Sequence, residues 1–271
     1  MLFYDLITDW EWTERPQSYG WFHIVSIIVM LLICFTSVYF LAKKHDKKTD
    51  NIFIFSIGLI LVVLEVYKQF FYYFELEYYN WEKFPFQFCS LPIYLAFIAP
   101  LIKNEKVQDV MYRFLASFCM LAGLGIMIYP ATCFETTYIV MSIHTMIWHS
   151  LIVIIGVYLI VSKGYSKKLK ELISPCLMFI GFTLIATIAN VISYNLYFGD
   201  LSKNIHEDEF MLFYISPYYD MPLDFLNNVR DTVGFPIYVI LYILGVCLGV
   251  VIIWMFLKMI RKFFGKNVKA S

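Results

Sequence analysis

Seven apolar segments long enough to cross a membrane, separated by polar stretches that alternate between basic and acidic, constrain this chain more than any other feature. They lie at about 20–41, 51–72, 84–102, 110–129, 137–162, 172–196 and 235–257. A helix rises 1.5 Å per residue, so about 20 apolar residues cross the ~30 Å hydrocarbon core. Composition agrees: 61% of residues are hydrophobic, 20% aromatic and only 15% charged, whereas a soluble domain averages about 25% charged. The prediction is an all-α polytopic membrane protein, one bundle of seven transmembrane helices over residues 1–271, in the cell membrane.

Orientation follows from the cations. Of 21 Lys and Arg residues, sixteen fall in four clusters. These are Lys43, Lys44, Lys47 and Lys48; Lys103, Lys106 and Arg113; Lys163, Lys167, Lys168 and Lys170; and Lys258, Arg261, Lys262, Lys266 and Lys269. Positive charge is retained on the cytoplasmic side, so the N-terminus is expected outside and the basic tail, 258–271, inside. Only Arg15, Lys83, Lys203 and Arg230 fall in outer segments, and Lys68 lies within the membrane. Net charge is zero, and with the charges so segregated it gives no sign of a nucleic-acid partner.

Residues 1–19 mix aromatic and acidic side chains, as an outer interfacial segment does. They carry no cationic n-region and no small-residue cleavage site, so the first span is expected to anchor the chain rather than be removed. The connector 199–233 is much longer than usual and acidic, with the aromatic stretch FMLFYISPYYDMPL, and is a candidate lid or mouth. Five cysteines fall within spans and Cys133 in an outer loop, a pattern that supports neither a disulfide framework nor a metal set.

Ionisable and polar groups at membrane depth are costly and mark functional cavities by default. Glu65 and Lys68 lie on one face near the outer end of the second span, as a mutually neutralising pair or as part of a site. Gln87 and Cys89 fall between Pro85 and Pro92, which disrupt the start of the third span; a small cysteine in simple packing is the bland alternative. His144 and His149, five apart on the fifth span, point about 140° away from each other. Asn190 and His23 also fall in the outer half. Counting 1.5 Å per residue puts Cys89 roughly 8 Å, His144 roughly 10 Å and His149 roughly 18 Å below the outer boundary. Depth alone therefore makes His144 the nearer partner. A histidine beside a cysteine takes the thiol proton and frees a thiolate to attack an acyl carbonyl.

Four stretches together resemble the YwaF family of bacterial integral membrane proteins, which is related to a eukaryotic seven-helix acyltransferase that edits ether phospholipids. They are LILVVLEVYKQ with Glu65; FPFQFCSLPIYL, similar to that family's LPLQLC helix start; IWHSLIVIIGVYL; and ANVISYNLYFGD with FMLFYISP. Order and spacing hold over about residues 20–260. The resemblance implies a catalytic pair at Cys89 and His149, thioester chemistry on phospholipid acyl chains, and membrane lipids as substrate. On that Cys/His chemistry Gln87 is expected to orient or donate to the oxyanion, and Glu65 to fix the histidine tautomer as a third group does in other nucleophile sites.

The leading expectation is therefore an acyltransferase or lipid hydrolase. A transporter or channel built around Glu65, Lys68 and the histidines is the alternative, and a non-catalytic receptor or scaffold the third. No cofactor is implied, because the chain has neither a glycine-rich phosphate loop nor a metal set. Self-association is left open.

Overall fold

The computed structural model describes residues 10–41, 46–130, 134, 136–165 and 168–264. Residues 1–9 of the interfacial segment, Lys43, Lys44, Cys133, Lys167 and the tail beyond Phe264 lie outside the described residues, as do the side chains of Arg261 and Lys262. Among the described residues the chain is helical, with one isolated β-bridge, Glu11 to Tyr138.

Six helices are long and apolar enough to cross a membrane: α1 (Trp21–Leu41), α2 (Lys47–Leu76), α4 (Glu105–Ile128), α5 (Ile139–Ser162), α6 (Leu169–Phe198) and α8 (Phe235–Phe264). They make this a multi-pass membrane protein. The remaining expected span, 84–102, holds a shorter apolar helix, α3 (Phe88–Leu101), about 21 Å long at 1.5 Å per residue. Residues 84–87 stay irregular, with extended backbone at Gln87. Pro85 lies in this stretch; Pro92 is the second residue of the α-helical part of α3, which begins at Leu91 after the 3₁₀ turn Phe88–Ser90, so its missing amide falls in the first turn of that part.

Local chemistry sets the other boundaries. Asp46 caps α2 by accepting from the Thr49 amide at 2.7 Å, and that hydrogen bond holds its carboxyl below the usual carboxylate range. Asn104 caps α4 through the Lys106 and Val107 amides. α4 carries a π turn at Leu115–Cys119 and α6 another at Tyr194–Phe198. A short amphipathic helix, α7 (Asp224–Val233), precedes α8.

The core is aromatic and lies where α3, α4, α5 and α6 meet. Phe114, Phe118 and Phe179 stack in sequence at its centre. By contrast α1 and α8 show large apolar side chains along most of their length, such as Leu32, Phe35 and Leu248, as helices at the lipid boundary do. Glycine allows two close approaches. A Cβ at Gly58 would lie 2.6 Å from the Phe97 amide nitrogen of α3, and one at Gly123 3.0 Å from the His149 carbonyl of α5.

Many cations that the sequence marks as topological signals also act as bolts at one end of the bundle. Lys163 pairs with Asp50 at 2.7 Å, and Asp50, fully buried, accepts from the Tyr158 hydroxyl at 2.6 Å. Lys47 pairs with Glu105, tying the start of α2 to the start of α4. Arg113 bridges Asp109 and Glu171.

At the opposite end, residues 199–223 fold into the bundle mouth. Phe213, completely buried, inserts between Phe86, Phe88 and Phe179, with positive φ at Phe213 and Tyr214. Such backbone costs about 1–3 kcal/mol per residue and persists only where its surroundings enforce it.

Candidate functional site

A cavity of about 480 Å³ opens at this mouth end, between α2, the start of α3 and the N-terminal part of α5. Cys89, His144 and His149 all line it, with Lys68 from α2, Lys83 from the α2–α3 connection and Arg15 from the N-terminal segment. The N-terminal segment is held there by backbone pairing: the Trp12 amide donates to the Thr137 carbonyl and the Ile139 amide to Trp10. The Trp12 indole donates to Ser142. The Tyr138 hydroxyl bonds Glu75, fixing the start of α5 against α2.

Cys89 lies in a 3₁₀ turn, Phe88–Ser90, at the N-terminus of α3. Its carbonyl accepts from the Trp148 indole at 3.0 Å, which ties that turn to α5 between the two histidines. The depth count that separated Cys89 from His149 assumed helical rise from residue 84. Residues 84–87 are irregular instead, with the Phe86 amide donating to the Phe84 carbonyl in a tight turn, so that count does not apply, and Cys89 and His149 line the same cavity. His144 and His149 share it although their spacing turns them apart, because the cavity wraps around the Trp148 side of α5.

The two rings differ in how they are held. His144, 7% exposed, is hydrogen-bonded through Nε2 to the Leu64 carbonyl at 3.0 Å and stacked on Trp148. As that nitrogen faces a carbonyl, it is the one that carries the proton. His149, 6% exposed, uses Nδ1 on the Thr145 carbonyl at 2.8 Å, and its Nε2 has no hydrogen-bond partner among the described residues. With Nδ1 protonated, Nε2 presents a free lone pair in a cavity-lining ring.

The other sequence candidates are placed elsewhere. Glu65 pairs with Lys68 at 2.8 Å and accepts from Gln69 at 2.6 Å. Backbone carbonyls, not Glu65, orient both imidazoles. Gln87 donates to the Met211 carbonyl at 2.8 Å. Asn190, 1% exposed, clamps the mouth loop by donating to the Leu212 and Ile215 carbonyls and accepting from the Leu212 amide. Gln87 and Asn190 thus seat the loop. His23 is spent on the Tyr19 amide and the Met127 carbonyl.

Sequence reading missed Trp148, Ser90, Arg15 and Lys83 as cavity residues. Trp148 had a signal, since it lies between the two histidines of SIHTMIWHSL. Arg15 and Lys83 were visible only as exceptions to the charge segregation. Among the described residues no cluster of three His, Cys, Asp or Glu has the makings of a metal site. Outside the spans, burial pushes the Asp208 carboxyl up, against the opposing pull of the Trp81 amide that it accepts.

The sequence model of the TMEM164 family matches residues 18–259, nearly the whole chain and all of the cavity except Arg15. No curated protein and no solved structure matches.

Proposed function

The chain belongs to the TMEM164 family, and from that premise we propose that it is an integral membrane acyltransferase or lipid hydrolase acting on phospholipid acyl chains through Cys89 and His149. The likeness of four stretches to the YwaF family and its eukaryotic acyltransferase relative points the same way. One observation carries the reading: a thiol and an imidazole with an unoccupied, buried Nε2 line one cavity. Each ring donates one N–H to a backbone carbonyl and keeps one unprotonated nitrogen, so the preference for His149 over His144 rests on the likeness of the IWHSLIVIIGVYL stretch.

The chemistry runs in two balanced halves. His149 Nε2 takes the Cys89 proton, and the thiolate adds to the ester carbonyl of a phospholipid. As the C–O bond breaks, the imidazolium returns its proton to the departing lysophospholipid oxygen, leaving a Cys89 thioester. An acceptor hydroxyl, from a second lysophospholipid or from water, then loses its proton to His149 and attacks that thioester. The C–S bond breaks and the thiolate recovers the proton. Ser90, beside Cys89 on the cavity wall, is a hydroxyl donor available to the carbonyl oxygen.

We further propose seven crossings of the cell membrane with the N-terminus outside. The Lys47–Glu105 pair supports the count, because it sets the start of α4 beside the start of α2, and the chain between the end of α2 and Glu105 must then cross the bundle through α3. The basic residues gathered at that same end support the orientation.

The test is acyl transfer by purified protein in lipid nanodiscs supplied with labelled phospholipid and lysophospholipid. Cys89→Ala is expected to abolish transfer and the hydroxylamine-sensitive acyl label. His149→Ala is expected to slow it by about 10²–10⁴-fold, while His144→Ala stays within about tenfold of wild type. Normal turnover by Cys89→Ala removes the thiol mechanism.

A further inference from the structure

The cavity wall carries three cations, Arg15, Lys68 and Lys83, and no carboxylate among the described residues. This is notable because the outer part of the chain is poor in positive charge. Of the four outer cations, Lys203 is taken up by Asp200, and Arg230 by Asp220 and Asp231. The other two, Arg15 and Lys83, converge with the one intramembrane cation, Lys68, on a single hollow.

Their counter-charges stand behind the wall. Glu65 pairs with Lys68 at 2.8 Å and Glu82 lies 3.6 Å from Lys83, yet neither lines the cavity. Arg15 pairs with no carboxylate among the described residues. The three heads also come from separate parts of the fold, and pairing of the N-terminal segment with the start of α5 holds Arg15 to the site. Carboxylates behind the wall already balance the two lysines, which leaves Arg15, among the described residues, as the unpaired positive charge that an anion in the hollow would balance. Exposure grades the same way: Arg15 is exposed and Lys83 half-buried, whereas His149 is buried.

We propose that Arg15, Lys68 and Lys83 form a phosphate-binding subsite at the mouth of this cavity, holding the phosphodiester of a glycerophospholipid while the acyl ester extends inward to Cys89 and His149. The assignment of the deeper groups rests on the acyl-transfer reading; the anion site itself does not. Guanidinium and ammonium donors suit a phosphate, Arg as a fork and Lys as a point charge. The neighbouring Trp148, Met141 and Tyr72 give the glycerol and the first methylenes an apolar wall.

Equilibrium binding to the full chain in nanodiscs tests this without turnover, using the Cys89→Ala protein and two fluorescent probes with the same acyl chain. One is a lysophospholipid and the other a monoacylglycerol, which lacks the phosphate. The lysophospholipid is expected to bind at least tenfold more tightly at low salt, and the advantage to shrink as salt rises. Arg15→Gln combined with Lys83→Gln is expected to bring the two probes to within about twofold, whereas Arg15→Lys with Lys83→Arg keeps most of the preference. Inorganic phosphate added alone separates the sources: displacement of the lysophospholipid at low millimolar phosphate marks a free-anion site, and its failure marks a lipid headgroup site. Equal binding of both probes by the starting protein, or a preference untouched by the double Gln variant, overturns the subsite. A lost preference beside normal transfer by Cys89→Ala would instead retain the subsite and discard the thiol mechanism.

Discussion

Asn190 is the most exacting structural test, because all its side-chain hydrogen bonds reach the loop that closes the mouth. Its amide donates to the Leu212 carbonyl at 3.0 Å and the Ile215 carbonyl at 2.5 Å, and its oxygen accepts from the Leu212 amide at 2.8 Å. In Asn190→Ala the Leu212 carbonyl keeps a partner, since it also accepts from the Ile215 amide at 3.1 Å. The Ile215 carbonyl and the Leu212 amide lose theirs in a buried setting, at about 1–3 kcal/mol each. A combined loss of about 2–6 kcal/mol falls on a segment already strained at Phe213 and Tyr214, where φ is 57° and 54°. At about 1.4 kcal/mol per tenfold, amide exchange at Leu212 is expected to accelerate by roughly 30-fold or more, read by hydrogen exchange with mass spectrometry. The effect should extend to Cys89, because Gln87 donates to the adjacent Met211 carbonyl and the Ser90 amide donates to Gln87. Maleimide labelling of Cys89 is therefore expected to speed up. Unchanged protection at Leu212 would show that the loop is held by its aromatic contacts alone and would refute the clamp.

Three further substitutions probe the frame around the site. Gly123→Val would bring new atoms against Val153 and the His149 carbonyl, where even a Cβ is 2.8 and 3.0 Å away, so α4 and α5 must part at a cost of about 1–3 kcal/mol; Gly125→Ala, with nothing within 4 Å, is the control, and equal thermal midpoints for the two would sink the argument. Asp50→Asn leaves Lys163 without its buried carboxylate and is expected to destabilise by about 3–5 kcal/mol, with Lys163→Gln added in the same chain restoring part of that loss in the thermal midpoint. For Asp208, whose carboxyl burial raises, the sign is that of a raised acid: its contribution is complete below the ordinary value of about 3.9 and is lost as pH rises through the higher folded value. Asp208→Asn should remove that component, and an identical pH profile of the thermal midpoint would contradict it.

Six of the spans were legible because apolar length for crossing acts on every residue in sequence order. That constraint is local, so it survives ignorance of tertiary contacts. Where it failed, the cause was backbone chemistry. The 84–102 span reads as apolar throughout, yet Pro85 and the extended backbone at Gln87 delay the helix to Phe88. The basic clusters were read correctly as clusters, but nothing local tells that Lys163 reaches a fully buried Asp50 while Lys103 does not.

The same delay bears on the site. A depth count along ideal helices favours His144 over His149 as the neighbour of Cys89. That count does not hold where the first turns are irregular chain, and the Trp148 indole ties the Cys89 turn to α5 through its carbonyl. What each ring bonds is a property of helix register against α2 that no spacing within one span can reveal. His144 bonds the Leu64 carbonyl across the helix interface, whereas His149 bonds only its own helix and its buried Nε2 has no hydrogen-bond partner among the described residues. The cations follow the same logic in reverse. Arg15, Lys68 and Lys83 were each noticeable as departures from the charge pattern, and their meaning lies in their shared position at the cavity wall, which only the fold of the N-terminal segment against α5 and of the α2–α3 connection creates.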